Sequence, residues 1–213
     1  CHVTQPLLFE QLHEFGIDIS SGQINRILVE GHDDFHKEKD TILTTALQVS
    51  SHIHVDDTAA RHQGKNGVCT HIGNELFAFF ESTESKSRIN FLELLRAGHK
   101  DYHITQEALD YMEAQKLPKR QLQILNEDNT KVLPKEEQWQ SHLQKFDIKQ
   151  KRHIQIATEG ALLGSLLQHG FNQNMVILSD DAGQFNILLH ALCWIHAERT
   201  LHKIVPFTER SEE

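Results

Sequence analysis

Ser51-His52-Ile53-His54-Val55-Asp56-Asp57 is the stretch that sets the fold class of this 213-residue chain. Polar and β-branched residues alternate along it, the period of a strand with one buried face. Downstream, residues 67–73 and 76–81 predict two further strands, joined by the turn-forming Gly73-Asn74-Glu75. Three strands with such short links predict an antiparallel meander. A hundred residues later the continuous apolar run Asn174-Met175-Val176-Ile177-Leu178-Ser179 predicts a strand buried on both faces. It also runs into paired acids, Asp180-Asp181-Ala182-Gly183. A short helix, a strand at 191–194 and a helix at 196–204 are expected to follow.

Around these strands the apolar residues recur at helical spacing. Leu7, Leu8, Leu12 and Phe15 mark a helix over 7–15 that Gly16 stops. Ser20-Ser21 caps a second over 22–29, expected to bury Ile24, Ile27 and Leu28 and to turn Gln23, Asn25 and Arg26 outward. That outline is a helix-turn-helix, and many helical hairpins that do not bind DNA share it. A third helix spans 34–49. Beyond the meander, helices are predicted over 87–97 (buried side Ile89, Phe91, Leu92, Leu95), 105–116 and 154–170. Another starts at Pro134 and carries Trp139, Leu143 and Phe146 along one side. The fold class is therefore α/β, a mixed sheet flanked by helices. Its expected parts are a helical N-terminal region over 1–50, a first half of the core over 51–97, a mostly helical insertion over 98–172, and a second half over 173–213.

Composition narrows the function classes. With 38% hydrophobic and 24% charged residues the chain is a packed protein, not a disordered one. No apolar run approaches the roughly 20 residues of a membrane span; the run over 161–167 is short, and Gly164 and Ser165 interrupt it. Three cysteines, Cys1, Cys69 and Cys193, are odd in number and far apart, which favours a reducing cytoplasm over a disulfide framework. The opening Cys-His-Val-Thr-Gln-Pro lacks Met, a basic start and an apolar stretch, so the sequence reads as an internal piece of a longer protein. A net charge of −9 sits awkwardly with phosphate binding. However, residues 116–152 hold nine basic side chains against five acids, +4, which leaves −13 for the remainder. An acidic core with a basic insert suits a metal-dependent nuclease, and it suits an ordinary solvated helix face equally well.

The acids at the strand ends are the candidate chemistry. Carboxylates from neighbouring strands can hold Mg2+, which prefers oxygen ligands, and such ions clamp the oxygens of an in-line phosphoryl displacement. The ordinary alternative is Asp as a turn former or helix cap. Asp180 directly follows the apolar strand; Asp181 takes its place if the strand is one residue longer. Cys193 and His196 have the spacing of half a zinc site, but no second pair accompanies them. Their expected role is structural, with Cys193 buried in the last strand, His196 hydrogen-bonded nearby and Trp194 in the core. Arg199 faces DNA phosphate or pairs with an acid. Among sixteen histidines, His32 and His36 with Asp33 and Asp34, or His52 and His54 with Asp56 on one strand face, are conceivable metal groups. The plainer reading of the first group is a polar helix start.

Several of these segments resemble a known family. His54-Val55-Asp56-Asp57-Thr58 resembles the His-x-Asp-Glu-Thr motif of bacterial transposases of the insertion sequence sixty-six type. The stretch from Gln5-Pro6-Leu7-Leu8 to Ile17-Asp18-Ile19-Ser20-Ser21 is similar to the helices preceding that motif. Ser179-Asp180-Asp181-Ala182-Gly183-Gln184-Phe185 resembles the segment around the family's second catalytic Asp. Cys193-Trp194-Ile195-His196-Ala197-Glu198-Arg199 resembles its Cys-Trp-x-His-Ala-x-Arg motif. The resemblance implies a ribonuclease-H-like DDE core that cleaves and transfers DNA strands with Mg2+ or Mn2+. Asp56 and Asp180 would be two of its three metal-binding carboxylates, with DNA (transposon ends and target) as partner and self-association as in related assemblies. Three departures accompany it. Asp57 stands where the family has Glu, residues 98–172 exceed the usual connection, and the third carboxylate, a Glu beyond the Cys-Trp-x-His motif, has no counterpart at Glu198 or Glu209. The competing expectations are a catalytically incomplete remnant that binds DNA or protein, and a histidine-rich metal binder.

Overall fold

A computed structural model describes residues 3–62 and 64–204. The chain divides into two compact units, residues 1–41 and 42–213.

The first unit is a helical hairpin. Its helices are α1 (Gln5–Glu14), with Pro6 in the first turn, and α2 (Ser21–Val29). Gly16, at φ +77°, takes the left-handed conformation that reverses the chain after α1. Ser20 then forms a capping box: its Oγ accepts from Gln23 N at 3.2 Å, and Gln23 Oε1 accepts from Ser20 N at 2.8 Å. Gln5 Nε2 donates to Asn25 Oδ1 at 3.1 Å across the hairpin. Of the polar residues expected to face outward, Gln23 and Asn25 are thus occupied within the hairpin. The expected burial of Ile27 and Leu28 is corrected: they are 63% and 49% exposed, and among the described residues of this unit only Ile24 is buried. Two short helices cover one narrow stripe of each other and no more.

Helix α3 (Asp33–Val49) begins in the first unit and enters the second, where Leu43, Ala46 and Leu47 are buried. The second unit continues with β1 (His52–His62), β2 (Lys65–Gly73), β3 (Ala78–Thr83), α4 (Arg88–Leu95), β4 (Tyr102–His103), α5 (Gln106–Ala114) and α6 (Lys119–Glu127). It is completed by β5 (Val132–Leu133), α7 (Glu136–Lys145), α8 (Lys151–Gln168), β6 (Val176–Ser179), β7 (Leu189–Leu192) and α9 (Trp194–Ile204). The main sheet has five strands in the order β3-β2-β1-β6-β7. β1, β2 and β3 form the expected antiparallel meander, and β6 and β7 add in parallel beyond β1. The protein is thus mixed α/β, a five-stranded mixed sheet with helices packed on it; β4 and β5 pair separately.

One face of the sheet carries the core. Ile53 and Val55 of β1, Val68, Thr70 and Ile72 of β2, and Ile177 of β6 are buried in alternation with half-buried or exposed neighbours, up to the buried Gly73 that ends β2. The expectation that β6 is buried on both faces is corrected, because Val176 and Leu178 are only half-buried. Residues 156–166 of α8 are buried without a break, so the stretch read as an insertion supplies the central helix. Its glycines set the packing distance: a Cβ on Gly164 would lie 2.3 Å from His103 O, and one on Gly160 would lie 2.7 Å from Met112 Cγ. Trp139 closes the far side, stacked on Tyr102 with ring centroids 5.4 Å apart, its Nε1 donating to Thr158 Oγ1 at 2.9 Å. Between β6 and β7 the expected short helix is replaced by turns that end at Leu188, φ +51°. Among the described residues no helix is long and apolar enough to cross a membrane.

Candidate active site

Strand register brings the two acidic segments together. In the parallel β1–β6 pair, His52 lies opposite Val176, Ile53 opposite Ile177 and His54 opposite Leu178. Continued by two residues, this register sets Asp56 opposite Asp180, just past the end of β6. Two acids 124 positions apart in sequence are thereby carried toward one end of the sheet, Asp56 within β1 and Asp180 just after β6.

The neighbouring acid is the one that ties the strands. Both carboxylate oxygens of Asp57 are occupied: Thr70 Oγ1 donates to Oδ1 at 2.6 Å, and Gln184 Nε2 donates to Oδ2 at 2.9 Å. Lys86 Nζ donates to the Asp57 carbonyl at 3.0 Å. Asp57 thus fastens the loop after β6 to β1 and β2. Asp56 is exposed, its Oδ1 accepting from Asp57 N at 2.8 Å. Asp180 is half-buried, with its Oδ1 accepting from Ala182 N at 3.1 Å in an Asx turn. Asp181 is exposed. Among the described residues neither Asp56 nor Asp180 belongs to a group of three His, Cys, Asp or Glu side chains with ligand atoms close together.

The same loop is held from beneath by a buried ion pair. Arg88, at the start of α4, donates to the Gly183 carbonyl and to Tyr111 Oη, the latter at 3.0 Å, and lies 3.5 Å from Glu159 Oε2. Tyr111 Oη donates to Glu159 Oε2 at 2.5 Å, and Gln155 Nε2 donates to Oε1 at 2.8 Å. The side chains of Arg88 and Glu159 are 19% and 3% exposed, so this is an interior pair, although Arg88 Nε has no partner among the described residues. Burial and the adjacent carboxylate push the Tyr111 phenol above its ordinary value, so it remains a donor. None of Thr70, Gln184, Arg88, Tyr111 and Glu159 was singled out from the sequence. The legible signal was Glu159 itself, an acid in the middle of an apolar helix, which needs a buried partner.

Beside the acids, Asp180, Asp181, Cys193, Trp194 and His196 line an open cleft of about 390 Å3. The expectation that Cys193 is buried in the last strand is corrected: it follows β7 and is half-buried, with its N–H donating to Ser179 O at 2.7 Å. His196 is exposed on α9, as is Arg199. The expectation that Trp194 is core is corrected: it is 76% exposed, because the described residues leave the apolar side of α9 uncovered. His52 and His54 meet edge to face with ring centroids 5.5 Å apart, but among the described residues neither histidine group read from sequence gathers three ligand atoms. His32 bonds the Ile27 carbonyl at 2.8 Å, and His52 faces Glu75 at 3.3 Å. Cys1 and Glu209 lie outside the described residues.

Comparison with known proteins adds one relative of unassigned function. The chain is 36% identical over 171 residues to the uncharacterized protein y4jO of Sinorhizobium fredii (strain NBRC 101917 / NGR234). The alignment covers 79% of this chain and 53% of that protein, so the chain spans about half the length of the curated relative it matches. No protein-family model matches the chain, and no solved structure matches it.

Proposed function

We propose that this chain forms part of the catalytic core of a DDE-type DNA transposase with a ribonuclease-H-like arrangement. The observation that supports the reading is the parallel β1–β6 register, which, continued by two residues beyond His54 and Leu178, would set Asp56 opposite Asp180. The donor set fits the cation. Both candidate ligands are carboxylates, Asp56 is exposed and accepts from its own neighbour, and all-oxygen coordination suits Mg2+ or Mn2+. When bound, such an ion would neutralise charge on a scissile phosphate and favour ionisation of an attacking water or 3′-hydroxyl.

The chain's own residues do the positioning. Asp57, through Thr70 and Gln184, keeps the Asp180 loop against β1, and Arg88 fixes the same loop at Gly183. The exposed Lys116, Lys119, Arg120, Lys151 and Arg152 offer contacts for the DNA backbone, which would make binding steeply salt-dependent. The reaction class is phosphodiester cleavage by water followed by joining through a DNA 3′-hydroxyl. Asp56 and Asp180 are two of the three carboxylates such a core uses, and self-association would bring two DNA ends together.

Calorimetric titration with Mn2+ tests the assignment. Weak binding that Asp56→Asn and Asp180→Asn each abolish is expected. Binding that neither substitution changes would sink it.

A further inference from the structure

A second group of ligand side chains lies elsewhere in the unit, at the junction of β4 with the end of α8. Asp101 precedes β4, His103 ends it, and His169 caps the C-terminus of α8. Both imidazoles aim Nε2 at one carboxylate. His103 Nε2 is 2.7 Å from Asp101 Oδ2, and His169 Nε2 is 2.8 Å from Oδ2 and 2.9 Å from Oδ1. Among the described residues this is the one set of three His, Cys, Asp or Glu side chains whose ligand atoms lie within 4.8 Å of one another.

We propose that Asp101, His103 and His169 bind one Zn2+ ion, with water at the fourth position. The donor set, two imidazole nitrogens and one carboxylate oxygen, is one that zinc takes with an open site. Zinc bonds of about 2.0–2.2 Å place tetrahedral donors about 3.3 Å apart. The present contacts would therefore open by roughly half an ångström, within reach of side-chain rotation. The side chains are 15%, 22% and 29% exposed for His103, Asp101 and His169, so an ion can enter from solvent yet is largely desolvated once held.

The surroundings support a built site. Ser165 Oγ, one turn before His169, donates to Asp101 Oδ1 at 2.9 Å, the outer hydrogen bond that commonly orients a ligating carboxylate. The backbone at His103 is fixed by Gly164, whose missing Cβ lets α8 approach the His103 carbonyl. His99 stacks flat on His169, ring centroids 3.5 Å apart, and sets that ring's plane. A cavity of about 20 Å3, lined in part by His99, His169 and Phe171, adjoins the group and is large enough for one water. The nearby cation Arg96 is matched by Glu93 and bonded to the Asp101 carbonyl, so its charge is balanced locally. Zn2+ here would tie the short β4 arm to the end of the central helix.

The test uses the chain freed of metal by chelation, then titrated with Zn2+ in a calorimeter and with Co2+ in a spectrophotometer. One equivalent of Zn2+ that raises the melting temperature is expected, with Co2+ giving the intense visible bands of four-coordination. His103→Gln and His169→Gln are each expected to weaken Zn2+ binding by about tenfold or more while remaining folded by circular dichroism. Asp56→Asn is expected to leave the site intact, which separates it from the sheet-end carboxylates. Absent or substoichiometric Zn2+ binding, weak six-coordinate Co2+ bands, or wild-type affinity in both histidine variants would overturn the proposal. The Co2+ spectrum of the wild-type chain decides the matter even if a variant fails to fold.

Discussion

Replacing Arg88 with Met removes the cation that faces Glu159 and leaves the carboxylate in the interior. The geometry sets the scale. The pair is separated by 3.5 Å, with Glu159 only 3% exposed. At an effective dielectric constant near 20, such a separation corresponds to about 5 kcal/mol of attraction. Breaking buried pairs one partner at a time costs about 3–5 kcal/mol. Tyr111 and Gln155 continue to donate to Glu159, which keeps the loss near the lower end, about 3 kcal/mol. With a urea slope of about 2 kcal/mol/M, the unfolding midpoint should fall by roughly 1.5 M. The double variant Arg88→Met/Glu159→Leu should cost less than the sum of its two single substitutions, because it leaves no buried charge. Urea titration followed by circular dichroism reads all three. A loss below about 1 kcal/mol for Arg88→Met, as for a surface pair, or strict additivity in the double variant, would refute the argument.

Gly164→Ala improves helix propensity by about 0.5–1 kcal/mol, yet its Cβ would meet the His103 carbonyl at 2.3 Å. Net destabilisation of about 1–2 kcal/mol is expected by thermal melting, and a gain would show that β4 yields freely. Trp139→Phe deletes the bond to Thr158 and shrinks a fully buried ring. The expected loss is about 1–3 kcal/mol in denaturant titration, and an unchanged midpoint would contradict it. Burial holds the His142 imidazole below its ordinary 6.5, with Asp128 opposing and Lys145 adding to the shift, and its Nε2 sits 3.5 Å from Asp128 without a hydrogen bond. The unfolded chain therefore takes up a proton that the folded chain refuses as pH falls below about 6.5. Stability should decline from pH 7 toward pH 5, and His142→Gln should show a shallower decline over that window. Equal slopes would remove His142 as a cause.

The sheet was legible where period and turn chemistry agreed. Alternation in His52–Asp57, the Gly73-Asn74-Glu75 turn and the apolar run before Asp180 each became a strand or its boundary. The parallel pairing of β1 with β6 was not readable, because register depends on residues more than a hundred positions apart. Strands β4 and β5, two residues each, are too short for any period to register. Helix α6 escaped notice because Leu125 is its only buried residue. Helical spacing puts Ile27 and Leu28 on one side with Ile24, and a strand at 191–194 puts Trp194 in the core; their exposure follows from how little surface the neighbouring described elements cover. At the site, the acids stood out by type and strand-end position, but the roles of Asp57, Gln184 and Arg88 belong to contacts between segments. The Asp101, His103 and His169 group was invisible for the same reason, since His169 enters it from the far end of α8.

Localised cleavage by Fe2+ substituted for Mg2+ tests the central claim most directly. With ascorbate and peroxide, a bound Fe2+ ion generates radicals that cut the nearby backbone, and mass spectrometry reads the cut positions. If Asp56 and Asp180 share one ion, cuts should appear around residue 56 in β1 and around residue 180 after β6. Both sets should vanish together in Asp56→Asn. Cuts at only one of the two segments, or cuts that persist in Asp56→Asn, would contradict a shared carboxylate site.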